Sequence, residues 1–306
     1  MQSRSMALVD AFTTDPLSGN AAGVVPDAEG LSDAQCHAIA RELAVSETAF
    51  VSPSVDADRR IRYFTPTQEV DLCGHATIAA QAFLHEQGHL SAGRHSLETA
   101  VGELEVEIQD DGTVWMTQAP PTVVQQAIGY DRLAGALGCA ALTLQDVGAD
   151  IPVARASTGL PVLVVPINFL ESLGGLDPDY GAIEALSAEY DVAGIYAFTF
   201  DTLSGDGTAH GRFFAPAVGV DEDPVTGTAS GACAAYFRTA GSAAFDDLDD
   251  DLVFEQGDLL DRAGRVRVRL DSDGGSTRVR VGGQAVTAVE GSITVPDDEA
   301  DDIIEA

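Results

Sequence analysis

Four short stretches of this 306-residue chain recur in the same order, and this internal repeat constrains the fold more than any other feature. Arg62-Tyr63-Phe64-Thr65-Pro66 is echoed by Arg212-Phe213-Phe214-Ala215-Pro216. Gly74-His75-Ala76-Thr77 matches Gly227-Thr228-Ala229-Ser230 in the same place after a short acidic stretch. Gly19 through Val24-Val25-Pro26 parallels Gly159 through Val164-Val165-Pro166, and Thr48-Ala49-Phe50 resembles Tyr196-Ala197-Phe198. Each match is weak alone, but four in order and at similar spacing predict a duplicated domain. They are too far apart for the short period of a solenoid.

The local patterns inside the two halves agree. Ala76–Leu84 and Thr228–Phe237 read as helices that are apolar on nearly every face, and such helices belong inside something. Their surroundings read as strands. Leu104–Ile108 and Thr113–Thr117 alternate around Asp110-Asp111-Gly112, a hairpin signal. Val266–Leu270 and Arg278–Val281 flank a second Asp/Gly-rich turn, and Ala285–Val295 follows as strand. The polar patterns at Asp33–Leu43 and Ile183–Glu189 predict helices on the outside. Each half is therefore expected to be a curved, barrel-like sheet wrapped around one buried helix, an α+β arrangement with the boundary near Thr122–Gly138. Domains over 1–125, completed by a C-terminal strand at about 288–306, and over 126–287 are the expected division. Two such halves would turn their helix starts toward a shared cleft, where free N–H groups and the helix dipole attract a carboxylate.

Composition narrows the function classes. Against 49 acidic residues stand 16 basic ones, all arginine, for a net charge of −33. Such a chain repels nucleic acid and anionic membranes, so neither is expected as a partner. Clusters such as Asp246–Asp247, Asp249–Asp251 and Asp297–Asp298 sit among ordinary fold segments, so the acidity reads as adaptation to a salt-rich interior. Hydrophobic residues make up 45% of the chain, which excludes an acidic disordered protein. Cys36, Cys73, Cys139 and Cys233 are scattered without metal-like pairing and predict a reducing compartment. No signal-peptide pattern opens the chain and no stretch of 18 apolar residues occurs, so a cytoplasmic protein is expected.

Three constellations could carry chemistry. Asp71-Leu72-Cys73-Gly74-His75-Ala76-Thr77 sets an acid, a thiol and an imidazole at a predicted helix start, with Gly74 allowing close approach to backbone. Cys73 alone reads as a small core residue, whereas His75 suits proton transfer. Asp221-Glu222-Asp223-Pro224-Val225-Thr226-Gly227-Thr228 is its counterpart. Asp223 falls beside the equivalent helix end, and Asp221 and Glu222 are expected to be solvated. In Ser46-Glu47-Thr48, Glu47 stands at the entrance to an apolar run. It is either the last exposed residue of a loop or, if it points into a closed cleft, a general acid/base.

With Asp10-Ala11-Phe12-Thr13, Gly19-Asn20, Ser157-Thr158-Gly159-Leu160-Pro161 and Val289-Glu290-Gly291, these stretches resemble, in order, the motifs of the PhzF-like (phenazine-biosynthesis-like) family. The resemblance covers nearly the whole chain. It implies the diaminopimelate-epimerase-like fold, two pseudo-symmetric domains, an active site in the cleft, no cofactor and a homodimer. It also implies Glu47, His75 and Asp223 as catalytic residues. Asn20, Cys73, Gly74, Thr226, Gly227 and Thr228 would bind a small carboxylate substrate, with Thr228 standing where serine is more usual. The implied activity is a cofactor-independent isomerase. Two-thiol racemases share the fold but need a cysteine at each helix start. Here Thr226 faces Cys73 across the repeat, and Cys233 lies about two turns deeper. A racemase using Cys73 and a non-catalytic ligand-binding protein are the alternatives. A zinc hydrolase is disfavoured because Cys73 and His75 are close in sequence and no second ligand pair appears.

Overall fold

The computed structural model describes residues 2–145, 147, 151–239, 245, 248–273 and 276–297. Asp246–Asp247, Asp298 and the rest of the expected C-terminal strand beyond 297 lie outside the described residues. The chain divides into two compact units, one of residues 1–17, 21–114 and 284–306, the other of residues 18–20 and 115–283.

In chain order the first unit contributes β1 (Gln2–Ala11), β2 (Asn20–Val25), α1 (Asp33–Leu43), β3 (Glu47–Ser52), β4 (Arg59–Phe64), β5 (Glu69–Val70), α2 (Gly74–Glu86), β6 (Gly93–Thr99) and β7 (Gly102–Ile108). Next come β8 (Val114–Thr117), β9 (Thr122–Gln125), α3 (Tyr130–Leu137), α4 (Ala141–Gln145), β10 (Ala154–Ser157), β11 (Pro161–Pro166), α5 (Leu170–Gly174) and α6 (Tyr180–Tyr190). The second unit continues with β12 (Ile195–Thr199), β13 (Ala209–Ala215), β14 (Val220–Asp223), α7 (Gly227–Thr239), β15 (Asp251–Gln256), β16 (Gly264–Asp273) and β17 (Ser276–Gly283). β18 (Ala285–Val295) then pairs antiparallel with β1 over its whole length and so closes the first unit.

The duplication holds pairing by pairing. β2 runs parallel to β3, β3 antiparallel to β4, β4 parallel to β6, and β6 antiparallel to β7. In the second unit β11 is parallel to β12, β12 antiparallel to β13, β13 parallel to β15, and β15 antiparallel to β16. The division falls at 114/115 rather than at 125/126, because β9 pairs with β10 and α3 packs in the second unit's core. The expected boundary region around Thr122–Gly138 holds β9 and α3 of the second unit.

Each sheet curves around one helix. α2 packs on β1, β18, β3 and β7, and α7 on β9, β10, β11, β16 and β17, so strands far apart in each sheet reach the same helix. Every residue from Ala76 to Leu84 is buried, as is every residue from Ala229 to Phe237, which is why both helices are apolar all round. α1 lies on the other side of the first sheet, with Cys36, Ile39 and Ala40 against Val25, Phe50 and Phe64. Its start is a capping box between Ser32 and Gln35. α3, α4 and α6 cover the second sheet in the same way through Leu133, Leu137, Leu144, Ile183 and Leu186.

Pairing register corrects one sequence match. Ala49 faces Tyr63 and Val24, whereas the residue facing Phe213 and Val164 is Tyr196. Ala49 is therefore equivalent to Tyr196, one residue off the match of Ala49 with Ala197. Short apolar strands carry too little side-chain detail to fix such a register.

Candidate active site

The first cluster is built where β3 begins and α2 begins. Glu47 is the first residue of β3 and pairs with Ala22 of β2, while Cys73 is the N-cap of α2 and His75 its second residue. The helix start is anchored from inside: Thr77 donates both its N–H, at 3.0 Å, and its hydroxyl, at 2.6 Å, to the Cys73 carbonyl. Tyr63 then donates to Thr77 Oγ1 at 2.6 Å, and burial pushes the Tyr63 phenol well up, keeping it a neutral donor. Cys73 makes no side-chain capping hydrogen bond at this end. That leaves N–H groups of the first turn to face a ligand.

His75 bridges the cluster. Its Nε2 lies 3.4 Å from Glu47 Oε2 and 3.3 Å from Ser46 Oγ, and its Nδ1 lies 3.4 Å from Cys73 Sγ. The two ring nitrogens thus face different partners, the carboxylate on one side and the thiol on the other. The His75 side chain is 11% exposed and that of Glu47 23%. Glu47 is therefore neither a solvated loop residue nor sealed away: it faces an imidazole and keeps an approach open.

The second cluster lies at the start of α7. Asp223 ends β14, and its carboxylate accepts from Asn20 Nδ2 at 2.9 Å and from the Thr226 hydroxyl. Asn20 also donates to the Val225 carbonyl at 2.9 Å. Arg262 holds this short piece of chain by donating to the carbonyls of Ser18 and Gly19. Gln256, fully buried at the end of β15, accepts the Thr226 N–H at 3.1 Å and donates to the Asp223 carbonyl at 2.8 Å. Ser230 repeats the anchor of Thr77, donating its N–H at 3.1 Å and its hydroxyl at 3.0 Å to the Thr226 carbonyl. Thr158 donates to the Thr228 carbonyl at 3.1 Å.

Glu47, Cys73 and His75 thus come together in one unit, with Gly74 beside them, and Asn20, Asp223 and Thr226 in the other, with Gly227 and Thr228 beside them. Gln256 had no signal of its own, being a lone glutamine whose partners lie some thirty residues away. One expectation is corrected. Glu222 is not solvated, because its side chain is only 10% exposed and takes both ends of the Arg212 guanidinium at 2.8 Å. Asp221 is exposed as expected.

The clusters are not copies of each other. Register places Val70 opposite Tyr63 and Asp223 opposite Phe213, so the equivalent of Asp223 in the first unit is Val70. The equivalent of Glu47 is Gly194, where a Cβ would run into the Phe214 carbonyl. Each unit therefore supplies its carboxylate from a different strand. The thiol position is also unequal: Thr226 replaces Cys73, and Cys233 is fully buried with its thiol pushed well up by desolvation.

Comparison with known proteins agrees with this geometry. The chain is 36% identical over 291 residues to "Uncharacterized isomerase YfhB" of Bacillus subtilis (strain 168), covering 94% of this chain and 97% of that one. A crystal structure of a Bacillus anthracis phenazine biosynthesis protein of the PhzF family superposes with a TM-score of 0.88 at 33% identity, over 96% of this chain and 100% of that one. A hydroxyproline epimerase from Agrobacterium vitis shares the fold, with a TM-score of 0.58 at 18% identity over 96% of this chain and 91% of that one. Fold and relatives together define an isomerase, in the broad sense that includes epimerases. The model of the family described as "Phenazine biosynthesis-like protein" (PhzC-PhzF) matches residues 9–291, and the chain belongs to that family. Among the described residues no helix is long and apolar enough to cross a membrane.

Proposed function

We propose that this isomerase moves a proton on a small carboxylate substrate by general acid/base catalysis, with Glu47 as the group that takes and returns it. The observation that carries the reading is His75, set 3.4 Å from the Glu47 carboxylate and 3.4 Å from the Cys73 thiol at an uncapped helix start. A carboxylate beside an imidazole can accept a proton from carbon and share it through the ring, and the pair returns it at another position. The first-turn N–H groups of α2, with Gly74 leaving open space, suit the substrate carboxylate and the enolate-like charge that develops beside it. In its own unit Asp223, held by Asn20 and Thr226, offers an acceptor suited to an amino or hydroxyl group. Side chains of the chain itself suffice for these steps.

A racemase using Cys73 is the second reading, favoured by the thiol's place beside His75 Nδ1. It lacks a second thiol, since Thr226 cannot act as one.

Solvent-exchange NMR in heavy water at molar potassium chloride tests both, with a panel of cyclic and amino-acid carboxylates. Deuterium entering a substrate carbon is expected, and Glu47→Gln is expected to slow it by about 10²–10⁴-fold. Exchange that survives Glu47→Gln and stops in Cys73→Ser would overturn the proposal in favour of the thiol.

A further inference from the structure

Glu47, Cys73 and His75 each present one metal-binding atom, and these atoms lie within 4.8 Å of one another. Linear spacing brings only Cys73 and His75 into view. The third ligand comes from the start of β3, 26 residues earlier. We propose that this cluster is a three-ligand site for a thiophilic divalent cation such as Zn²⁺, and that filling it switches the enzyme off.

The ligand set is of the right kind. Thiolate, imidazole and carboxylate are the side chains zinc takes, with Zn–S near 2.3 Å and Zn–N and Zn–O near about 2.0–2.2 Å. In a tetrahedron with those bond lengths, sulfur and nitrogen stand roughly 3.5 Å apart. Cys73 Sγ and His75 Nδ1 already stand 3.4 Å apart, close to the separation that two ligands of one ion need, so a small turn of the ring or thiol seats an ion between them. Glu47, 23% exposed, now faces the other ring nitrogen, Nε2, at 3.4 Å, and to serve as third ligand its carboxylate has to swing toward the sulfur side, a distance the 4.8 Å spread of the three ligand atoms allows. A fourth position would fall to water, as in other three-ligand sites. Softness separates this site from the rest of the surface. Forty-nine carboxyl groups attract divalent cations loosely, but only here does a thiol stand with an imidazole and a carboxylate among the described residues.

Binding exchanges one proton for the metal: Cys73–SH and Zn²⁺ give Cys73–S–Zn⁺ and H⁺, with no change of oxidation state. The ion then occupies the lone pairs of Glu47 and of one His75 nitrogen. The switching half of the proposal therefore rests on Glu47 being the acid/base, whereas the binding half does not.

Co²⁺ is the probe for binding, added to the full chain in molar potassium chloride under reducing conditions. One equivalent should give the intense visible bands of tetrahedral cobalt and a thiolate-to-cobalt charge-transfer band in the near ultraviolet. Cys73→Ser should abolish the charge-transfer band, and Glu47→Gln and His75→Asn should each weaken binding by at least about 10-fold. Cys139→Ser, at a partly exposed thiol outside the cluster, should change nothing. A charge-transfer band that persists in Cys73→Ser, or weak pink octahedral cobalt in the unaltered chain, would overturn the site as loose carboxylate binding. Zn²⁺ added at one equivalent should suppress substrate exchange, and a chelator should restore it. A normal cobalt spectrum with exchange unaffected by Zn²⁺ would overturn the switch and count against Glu47 as the base, while leaving the spectrum to be explained by the site.

Discussion

Glu255 is the residue whose surroundings most clearly set its charge. It is 1% exposed and accepts the N–H groups of Leu203 and Ser204 at 2.7 and 2.9 Å, Arg265 Nη1 at 2.8 Å, His210 Nδ1 at 3.1 Å and the Ser204 hydroxyl. Burial pushes its pKa up, but these donors outweigh burial and hold it at about 2. Because the folded value lies below the unfolded one, the carboxylate adds stability that is fully present above pH ~4.5. That stability drains away as the pH falls from there through about 2. The gap is worth roughly 3 kcal/mol. Glu255→Gln is therefore expected to lower stability by about that much at pH 7, and to lessen its fall between pH 4.5 and 2, as read by urea unfolding across pH. An equal loss at every pH would show that packing, not ionisation, carries the effect. The sequence hid this cluster for a physical reason: Glu255 meets Leu203 and Ser204 more than fifty residues upstream, and nothing local marks it among the chain's many acids. Cys73 with His75, and Asp223 with Thr226, meet within short, motif-sized stretches at the helix starts, so those contacts were open to a local reading, whereas the approach of Glu47 to His75 was not.

At the scale of elements, the repeat explains what could and could not be read. The buried helices were legible because a helix surrounded by its own sheet must be apolar on every side, a pattern no surface helix shows. Arg62 and Arg212 recur for an equally physical reason: each lies over the phenylalanine two residues on, at 4.9 and 4.7 Å, and each is clasped by a glutamate, Glu69 or Glu222. What stayed hidden was register, since it depends on pairing rather than composition. Register is also what shows that Glu47 and Asp223 occupy unequal places. Two glycines make this testable. At Gly74 an added Cβ meets nothing, so Gly74→Ala should leave stability unchanged or raise it by up to about 1 kcal/mol. If the first turn of α2 binds a carboxylate, the same change should raise KM by about 10-fold or more, through one crowded charge-assisted hydrogen bond. At Gly194 a Cβ collides with backbone, so Gly194→Ala should cost about 2–3 kcal/mol without changing the KM of the folded fraction. Thermal melts and exchange kinetics on the two variants separate the effects. Equal KM values for Gly74→Ala and the parent chain would remove the helix start from substrate binding.

Over the whole molecule the charge balance dominates. Sixteen arginines cannot neutralise 49 carboxyl groups, and those best placed, Arg62 and Arg212 among them, are already committed to partners. The surplus must sit at the surface, where neighbouring carboxylates repel over a Debye length of about 10 Å at 0.1 M salt and only about 3 Å at 1 M. Folding gathers these charges, so screening favours the folded state more than the unfolded one. The melting temperature is accordingly expected to rise steeply with potassium chloride up to about 1 M and then level off, since screening has little left to remove once the Debye length is shorter than the spacing of charges. Each kcal/mol gained should appear as about 2–4 °C. Potassium sulfate would behave differently, continuing to stabilise with concentration because it is excluded from protein surface. Replacing exposed Asp56, Glu103, Asp110 and Glu184 together by Asn or Gln should raise the melting temperature at 0.1 M salt and flatten the chloride curve. If the curve is flat in the unaltered chain, or equally steep in the neutralised one, repulsion is not what the salt relieves. The acidity would then need a binding partner, rather than a salt-rich interior, as its reason.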